Sequence, residues 1–277
     1  MIRLIVDSTF GISKKYATDN NIEVVRLKMI LGDEVFEEGF EDTWADFYEK
    51  MKVSKKFPTT SQPSPQDFIN AINKIYSEDP DAEILILTIS NALSGTINSA
   101  TIAANSFEGK RIVAHDSRQA ATCGRMLTEE VVEHIKAGIS FDDLLALLPK
   151  IESSLAIQFV PDSMDALKRG GRIGTLGATL ANILKIKPLF KFADGKLTIQ
   201  KKVLGLTKAI TDAITLLPKK LKKLYICYIY DKVNVPKIAE KLKQILGLKN
   251  VEEVGLEPVF GVHVGIGAIG LASLAEY

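Results

Sequence analysis

At 277 residues, with 46% apolar and 25% charged side chains, the chain has the composition of an ordinary folded protein, which excludes disorder, collagen-like repeats and a disulfide scaffold. That length accommodates about two domains of roughly 150 residues, each with its own core. The 35 Lys and Arg balance 34 Asp and Glu, so no net field draws the chain to nucleic acid or an anionic membrane, and partners are recognised locally.

Through the first half, short β-rich apolar runs alternate with helical patterns. The runs at 2–6, 22–30, 84–89 and 111–115 have the unbroken apolarity of strands covered on both faces, as a parallel sheet requires. No charged leader or cleavage site attends the first of them, and Cys123 and Cys227 sit in apolar surroundings as buried reduced thiols do, so the expected location is the cytoplasm. Leu31-Gly32-Asp33 between Met29 and Val35 predicts a hairpin, and with it an antiparallel edge on the sheet. Ser64-Pro65-Gln66-Asp67 sets an N-cap, a first-turn proline and an N3 carboxylate ahead of Phe68, Ile69, Ile72 and Ile75 at helical spacing. Ser140 and Asp143 repeat the device before Leu144 and Leu148.

Past residue 153 the texture changes. A strand is predicted over 155–160, a short helix over 162–168 stopped by Gly170 and Gly171, and a strand over 186–192 joined through Asp194-Gly195 to another over 196–202. Helices over 206–217 and 235–246 flank a strand at 224–230, and 251–259 reads as a last strand. The expected fold is therefore two-domain α/β. Residues 1–152 form a mostly parallel sheet with helices on both faces, and 153–277 form an α/β domain with a mixed sheet. The stretch 258–275 carries no Lys, Arg, Asp or Glu and just reaches the length of a membrane span. Its four glycines and lack of basic flanks break it instead into a buried strand, a Gly-rich turn and a short terminal element.

Three predicted strands end in Asp7-Ser8-Thr9, Thr88 with Ser90, and Asp116-Ser117. Ligands of open parallel sheets lie outside the carboxyl ends of the strands, so these residues predict a hydroxyl-rich rim, although each can equally cap the following helix. The densest hydroxyl clusters are Pro58-Thr59-Thr60-Ser61-Gln62-Pro63-Ser64-Pro65 and Leu93-Ser94-Gly95-Thr96, which suit a carboxylate or phosphate. The sequence contains neither a Gly-x-Ser-x-Gly nucleophile elbow nor a Gly-x-x-x-x-Gly-Lys phosphate loop. Gly265-Ile266-Gly267-Ala268-Ile269-Gly270 spells the dinucleotide fingerprint, but the helix and acidic residue that must follow it have no room before Tyr277, so its glycines are read as tight turns beside His263. His115, His134 and His263 lack companions at metal-ligand spacing, so no metal is expected. Of seven arginines, Arg169 and Arg172 share the tetrapeptide Arg169-Gly170-Gly171-Arg172. Such guanidinium forks fit phosphate or carboxylate, or simply a solvated helix end.

In order and spacing, Asp7-Ser8-Thr9, Thr59-Thr60-Ser61-Gln62-Pro63-Ser64, Leu93-Ser94-Gly95-Thr96, Lys168-Arg169-Gly170-Gly171-Arg172, Ile186-Lys187-Pro188 and His263-Val264-Gly265 resemble the DegV family over nearly the whole chain. The resemblance implies a two-domain α/β fold holding a long-chain fatty acid in a tunnel between the domains. It also implies the role of acyl-presenting, non-catalytic subunit of a bacterial fatty acid kinase, in which a separate ATP-dependent partner converts the bound carboxylate to acyl phosphate for phospholipid synthesis. Carried over by motif, Thr60 and Ser94 bind the carboxylate with His263 close by, Ser61, Gly95 and Ser8 lie in the head-group loops, and Arg172 faces the kinase. No cofactor, metal or nucleic acid follows from it. The chain departs from the family at Leu204, where Arg is common, and at Ile266, where the pattern His-x-Gly-Pro-Gly has Pro. Residues 175–184 and the apolar C-terminal run are candidate tunnel walls, or simply core. The competing reading is a serine acyl hydrolase or acyltransferase using Ser94 and His263, which lacks the elbow and a third triad member. A small-molecule kinase would lack its phosphate loop.

Overall fold

The computed structural model describes residues 1–162, 164–172, 187–248 and 250–277. Strands β1 (Ile2–Asp7) and β2 (Ile22–Val25) begin the first sheet, and helix α1 (Lys14–Asp19) connects them. The chain then leaves for a hairpin, β3 (Lys28–Leu31) and β4 (Glu34–Glu37), runs through helix α2 (Trp44–Val53) and returns along β5 (Thr59–Ser61). After helix α3 (Pro65–Glu78) follow β6 (Glu83–Thr88), helix α4 (Thr96–Asn105) and β7 (Ile112–Asp116). Sheet order is β2-β1-β6-β7, all parallel. Alternation along these strands explains their unbroken apolarity. Ile5, Ile84 and Ile86 pack with Phe68, Ile72 and Ala100 of α3 and α4, whereas Leu4, Val6, Leu85 and Leu87 face helix α5 (Thr122–Lys136) through Met126, Leu127 and Val131. The Ser64–Asp67 capping box forms as predicted, and Ser140 caps helix α6 (Phe141–Ser153).

The apolar run 22–30 divides between two sheets, and the hairpin is not an edge of the parallel one. It forms its own antiparallel sheet in the order β4-β3-β5. At the break, the Leu27 N–H donates to Ser8 Oγ and its carbonyl accepts from the Glu38 N–H, so no backbone group is left there to extend β2.

The second half contributes β8 (Leu155–Val160), helix α7 (Met164–Arg169), β9 (Lys187–Ala193), β10 (Lys196–Val203), helix α8 (Leu206–Thr215) and β11 (Leu221–Tyr228). Helix α9 (Val235–Leu246), β12 (Glu252–Gly255), helix α10 (Pro258–Val264) and β13 (Ile269–Ala275) complete it. This mixed sheet has the order β10-β9-β8-β13-β11-β12, antiparallel except between β11 and β12. Helices α8 and α9 cover one face, and the other packs Ile157, Tyr225 and Ala272 into the core shared with α5.

The C-terminal reading is corrected. Strand β12 is short, Pro258 opens a helix, and 269–275 becomes an internal strand paired with β8 and β11. An uncharged run reads as helix or strand until its packing is known. Pro258 stands at the first helical position, where a missing N–H costs nothing, and an internal strand buried on both faces needs no charged residue. Among the described residues no helix is long and apolar enough to cross a membrane. The candidate wall at 175–184 and the motif residue Ile186 lie outside the described residues.

Gly124 of α5 shows how tightly the first half is packed. A Cβ there would stand 2.0 Å from the ring of Phe10, which is fully buried. Gly124→Ala should therefore lower the unfolding free energy by about 1–3 kcal/mol in urea titration, because overpacking outweighs the gain of roughly 1 kcal/mol in helix propensity. A stabilised variant would contradict that packing.

Candidate functional site

A cavity of about 350 Å³ lies between strand β5, the carboxyl end of β6 and the inner face of the mixed sheet. That volume is within the usual range for small-molecule sites. Its buried lining is apolar and includes Ile89, Ile157, Phe192, Leu256 and Val259, with Cys227. Its exposed or half-buried lining carries the polar groups, namely Thr60, Ser61, Gln62, Ser94, Arg172 and His263. The cavity is thus polar at its mouth and apolar in depth.

The mouth is assembled from four segments. Strand β5 holds Thr60 opposite Met29 of β3, and the Thr60 Oγ1 lies 2.9 Å from His263 Nε2 at the last turn of α10. His263 packs against Gly170, where a Cβ would come within 2.6 Å of Nδ1. Burial pushes the His263 pKa down to about 4, and the Arg172 guanidinium adds to the shift, so the ring is neutral at pH 7. Ser94 Oγ pairs with Thr96 Oγ1 at 2.9 Å. Gly95 admits the neighbouring loop, because a Cβ there would lie 2.6 Å from Gln62 Oε1, while Gln62 Nε2 donates to Ser99 Oγ. Arg172 clips the end of α7 onto this wall, donating to the Leu93 carbonyl at 3.2 Å and the Gly170 carbonyl at 2.8 Å. Arg169 lies instead over the Phe57 ring.

Of the residues singled out in the sequence, Thr60, Ser61, Ser94, Gly95, Arg172 and His263 share one lining. Ser8 lies behind it, buried, with Oγ donating to Glu38. The other strand-end residues also bond inward. Asp7 accepts from Thr9 and from the Ile89 N–H, and Ser117 donates to the Thr88 carbonyl. These side chains cap and brace rather than form the predicted rim. The run from Gly265 to Gly270 follows a helix and enters a strand, the reverse of a dinucleotide turn. Gln62 was within reach of the sequence, since it stands inside the hydroxyl cluster, but the Phe192 and Cys227 positions carried no local signal. Burial raises the Cys227 thiol to about 12, so it serves as wall and not nucleophile.

Neutral donors at the mouth of an apolar chamber can orient an amphipathic anion without burying a counter-charge. The DegV family model, described as "uncharacterised protein, DegV family", matches residues 1–276. The chain belongs to the DegV family. A DegV domain-containing protein of Listeria innocua is 30% identical over 280 residues, 98% of this chain and 97% of the relative. A DegV family protein of Thermus thermophilus, described by its fatty acid binding, superposes with a TM-score of 0.87 at 27% identity, covering 99% of each chain. A stearic acid-binding protein of Eubacterium ventriosum gives a TM-score of 0.88 at 25% identity, over 99% of this chain and 98% of that one. In the present DegV protein Leu204 is exposed after β10, and Ile266 packs partly buried against the core next to the His263 turn.

Proposed function

We propose that this DegV protein holds a long-chain fatty acid between units 1–152 and 153–277, with the carboxylate at Thr60, Ser94 and His263, and presents it in the cytoplasm to a separate ATP-dependent kinase. The carboxylate oxygen attacks the γ-phosphorus of ATP, ADP leaves, and acyl phosphate is formed for phospholipid synthesis. The observation that carries the reading is the polarity of the cavity, hydroxyls and a neutral imidazole at the mouth and apolar walls behind. Burying an acyl chain gains at most about 0.8 kcal/mol per methylene, on the order of 10 kcal/mol for sixteen carbons before ordering costs. Affinity then comes from the tail and orientation from the head. A carboxylate held by neutral donors keeps more of its nucleophilicity than one locked in an ion pair.

Native mass spectrometry of the purified protein tests the ligand, with a retained fatty acid mass expected and its absence after lipid exposure counting against the reading. The hydrolase alternative is disfavoured because Ser94 Oγ pairs with Thr96 and His263 Nε2 with Thr60. The isolated protein should neither cleave acyl esters nor consume ATP. Ester turnover abolished by Ser94→Ala would reinstate the hydrolase.

Arg172 is exposed at the mouth and is the group proposed to meet the kinase. Arg172→Ala should leave fatty acid affinity within about twofold while acyl phosphate formation at limiting kinase falls at least about tenfold, equivalent to about 1.4 kcal/mol. Rescue at high kinase concentration identifies a docking defect, and its failure identifies lost transition-state stabilisation. Normal phosphorylation at limiting kinase would remove Arg172 from the partner surface.

A further inference from the structure

Asp7-Ser8 and Glu38 form a buried polar cluster behind the cavity that the proposed chemistry does not use. Glu38 is 1% exposed, and its two carboxylate oxygens face different segments. Oε2 accepts from Ser8 Oγ at 2.6 Å, just past the end of β1, and Oε1 accepts from the Val259 N–H at 2.8 Å, in the first turn of α10. Ser8 Oγ in turn accepts from the Leu27 N–H at 3.0 Å, and the Glu38 N–H donates to the Leu27 carbonyl at 2.9 Å. One carboxylate therefore ties together the end of β1, the chain entering β3 and the start of α10.

Those are the elements that carry the head-group pair. Strand β3 pairs with β5 and so places Thr60, while α10 ends on His263. Helix α10 spans only seven residues, and its N-cap, Glu257, makes no side-chain capping bond, so its first-turn donors need an acceptor from elsewhere. Glu38 supplies it. A small slide or rotation of α10 would break the 2.9 Å contact between Thr60 and His263.

We propose that Glu38, acting with Ser8, is a positioning residue that sets His263 against Thr60 by anchoring α10. This rests on the fatty acid reading above, and the test separates the two. Palmitate and methyl palmitate are bound to the full-length protein and to the Glu38→Ala, Glu38→Gln and Ser8→Ala variants. The tail site is common to both ligands, and only palmitate presents a carboxylate. Glu38→Ala should cut the preference for palmitate over its ester at least about fivefold while the ester's own affinity stays within about twofold. A general loss of structure would weaken both ligands together. Gln matches the shape of Glu and can still accept from Val259, so Glu38→Gln should show a smaller loss, and with Ser8→Ala it carries the test if Glu38→Ala does not fold. Wild-type discrimination that persists in all folded variants overturns the positioning role and leaves fatty acid binding standing. If the wild type binds neither ligand, the fatty acid reading fails. The positioning role is then decided by the His263 ring-nitrogen resonances of ligand-free protein, which should move in whichever of Glu38→Ala and Ser8→Ala folds and would overturn the role if unchanged.

Discussion

Thr60→Ala/Ser94→Ala should weaken long-chain fatty acid binding by about 2–4 kcal/mol, roughly 30- to 1,000-fold, while the protein stays folded. Each hydroxyl stands half-buried at the mouth and bonds to another side chain, Thr60 to His263 and Ser94 to Thr96, so neither is a support for the backbone. A neutral donor to a carboxylate is worth roughly 1–3 kcal/mol, and the two sites are close enough for their effects to be less than additive. The apolar chamber is untouched and the tail contribution is larger, so binding is weakened and not abolished. Titration calorimetry with palmitate reads the change. Unaltered affinity in a folded double variant would remove these hydroxyls from the head-group site.

The second large effect is a dependence of stability on pH set by buried acids. Burial raises the Asp7 pKa from 3.8 to about 6 and that of Glu38 from 4.5 to about 7, against the opposing hydrogen bonds from Thr9 and Ile89 and from Ser8 and Val259. Glu257, 1% exposed and beside Glu38, is held well above the usual carboxylate range, by burial first and then by the Glu38 charge. Between the unfolded and folded pKa the native state keeps a proton that the unfolded state has lost. The stability each acid contributes is therefore complete below its unfolded pKa and is lost as pH rises through the folded one. His263 acts in the opposite direction, because its lowered pKa contributes stability above about 6.5 that is lost as pH falls toward 4. Between about pH 6.5 and 8 these acids set the slope among the described residues. Unfolding free energy should therefore fall between pH 6.5 and 8. Glu38 alone accounts for on the order of 3 kcal/mol over its whole window from about 4.5 to 7, and Glu38→Gln should flatten the profile. Urea titrations across pH 5–8 check this. A wild-type stability that rises from pH 6.5 to 8, or a slope unchanged in Glu38→Gln, would contradict the assigned burial.

Signals that are local proved readable from residues alone. The Ser64 box, the Asp194-Gly195 hairpin and the helix at 235–246 depend on neighbours a few positions away, and they stand where the pattern put them. The break inside 22–30 was not readable, because it is made by Ser8 and Glu38, neither of which is a sequence neighbour of Leu27. Helix α10 was misread because an apolar run with no charge lacks any periodicity, and only the surrounding core decides its form. Nothing local distinguishes Glu38 from Glu37, yet Glu37 is exposed and Glu38 is buried between the Ser8 hydroxyl and the Val259 N–H. Thr60 and His263 are 203 positions apart, and no spacing rule joins them. Their association in the sequence came from the family resemblance, and the fold places them in contact.

The orientation of a bound acid is the most direct measure of the whole account. In a crystal structure with palmitate, the carboxylate should lie within about 3.2 Å of Thr60 Oγ1 and of Ser94 Oγ or His263 Nε2, with the tail running inward past Phe192 toward Cys227. Palmitate lying with its carboxylate at the apolar end, or bound only outside this cavity, would contradict it.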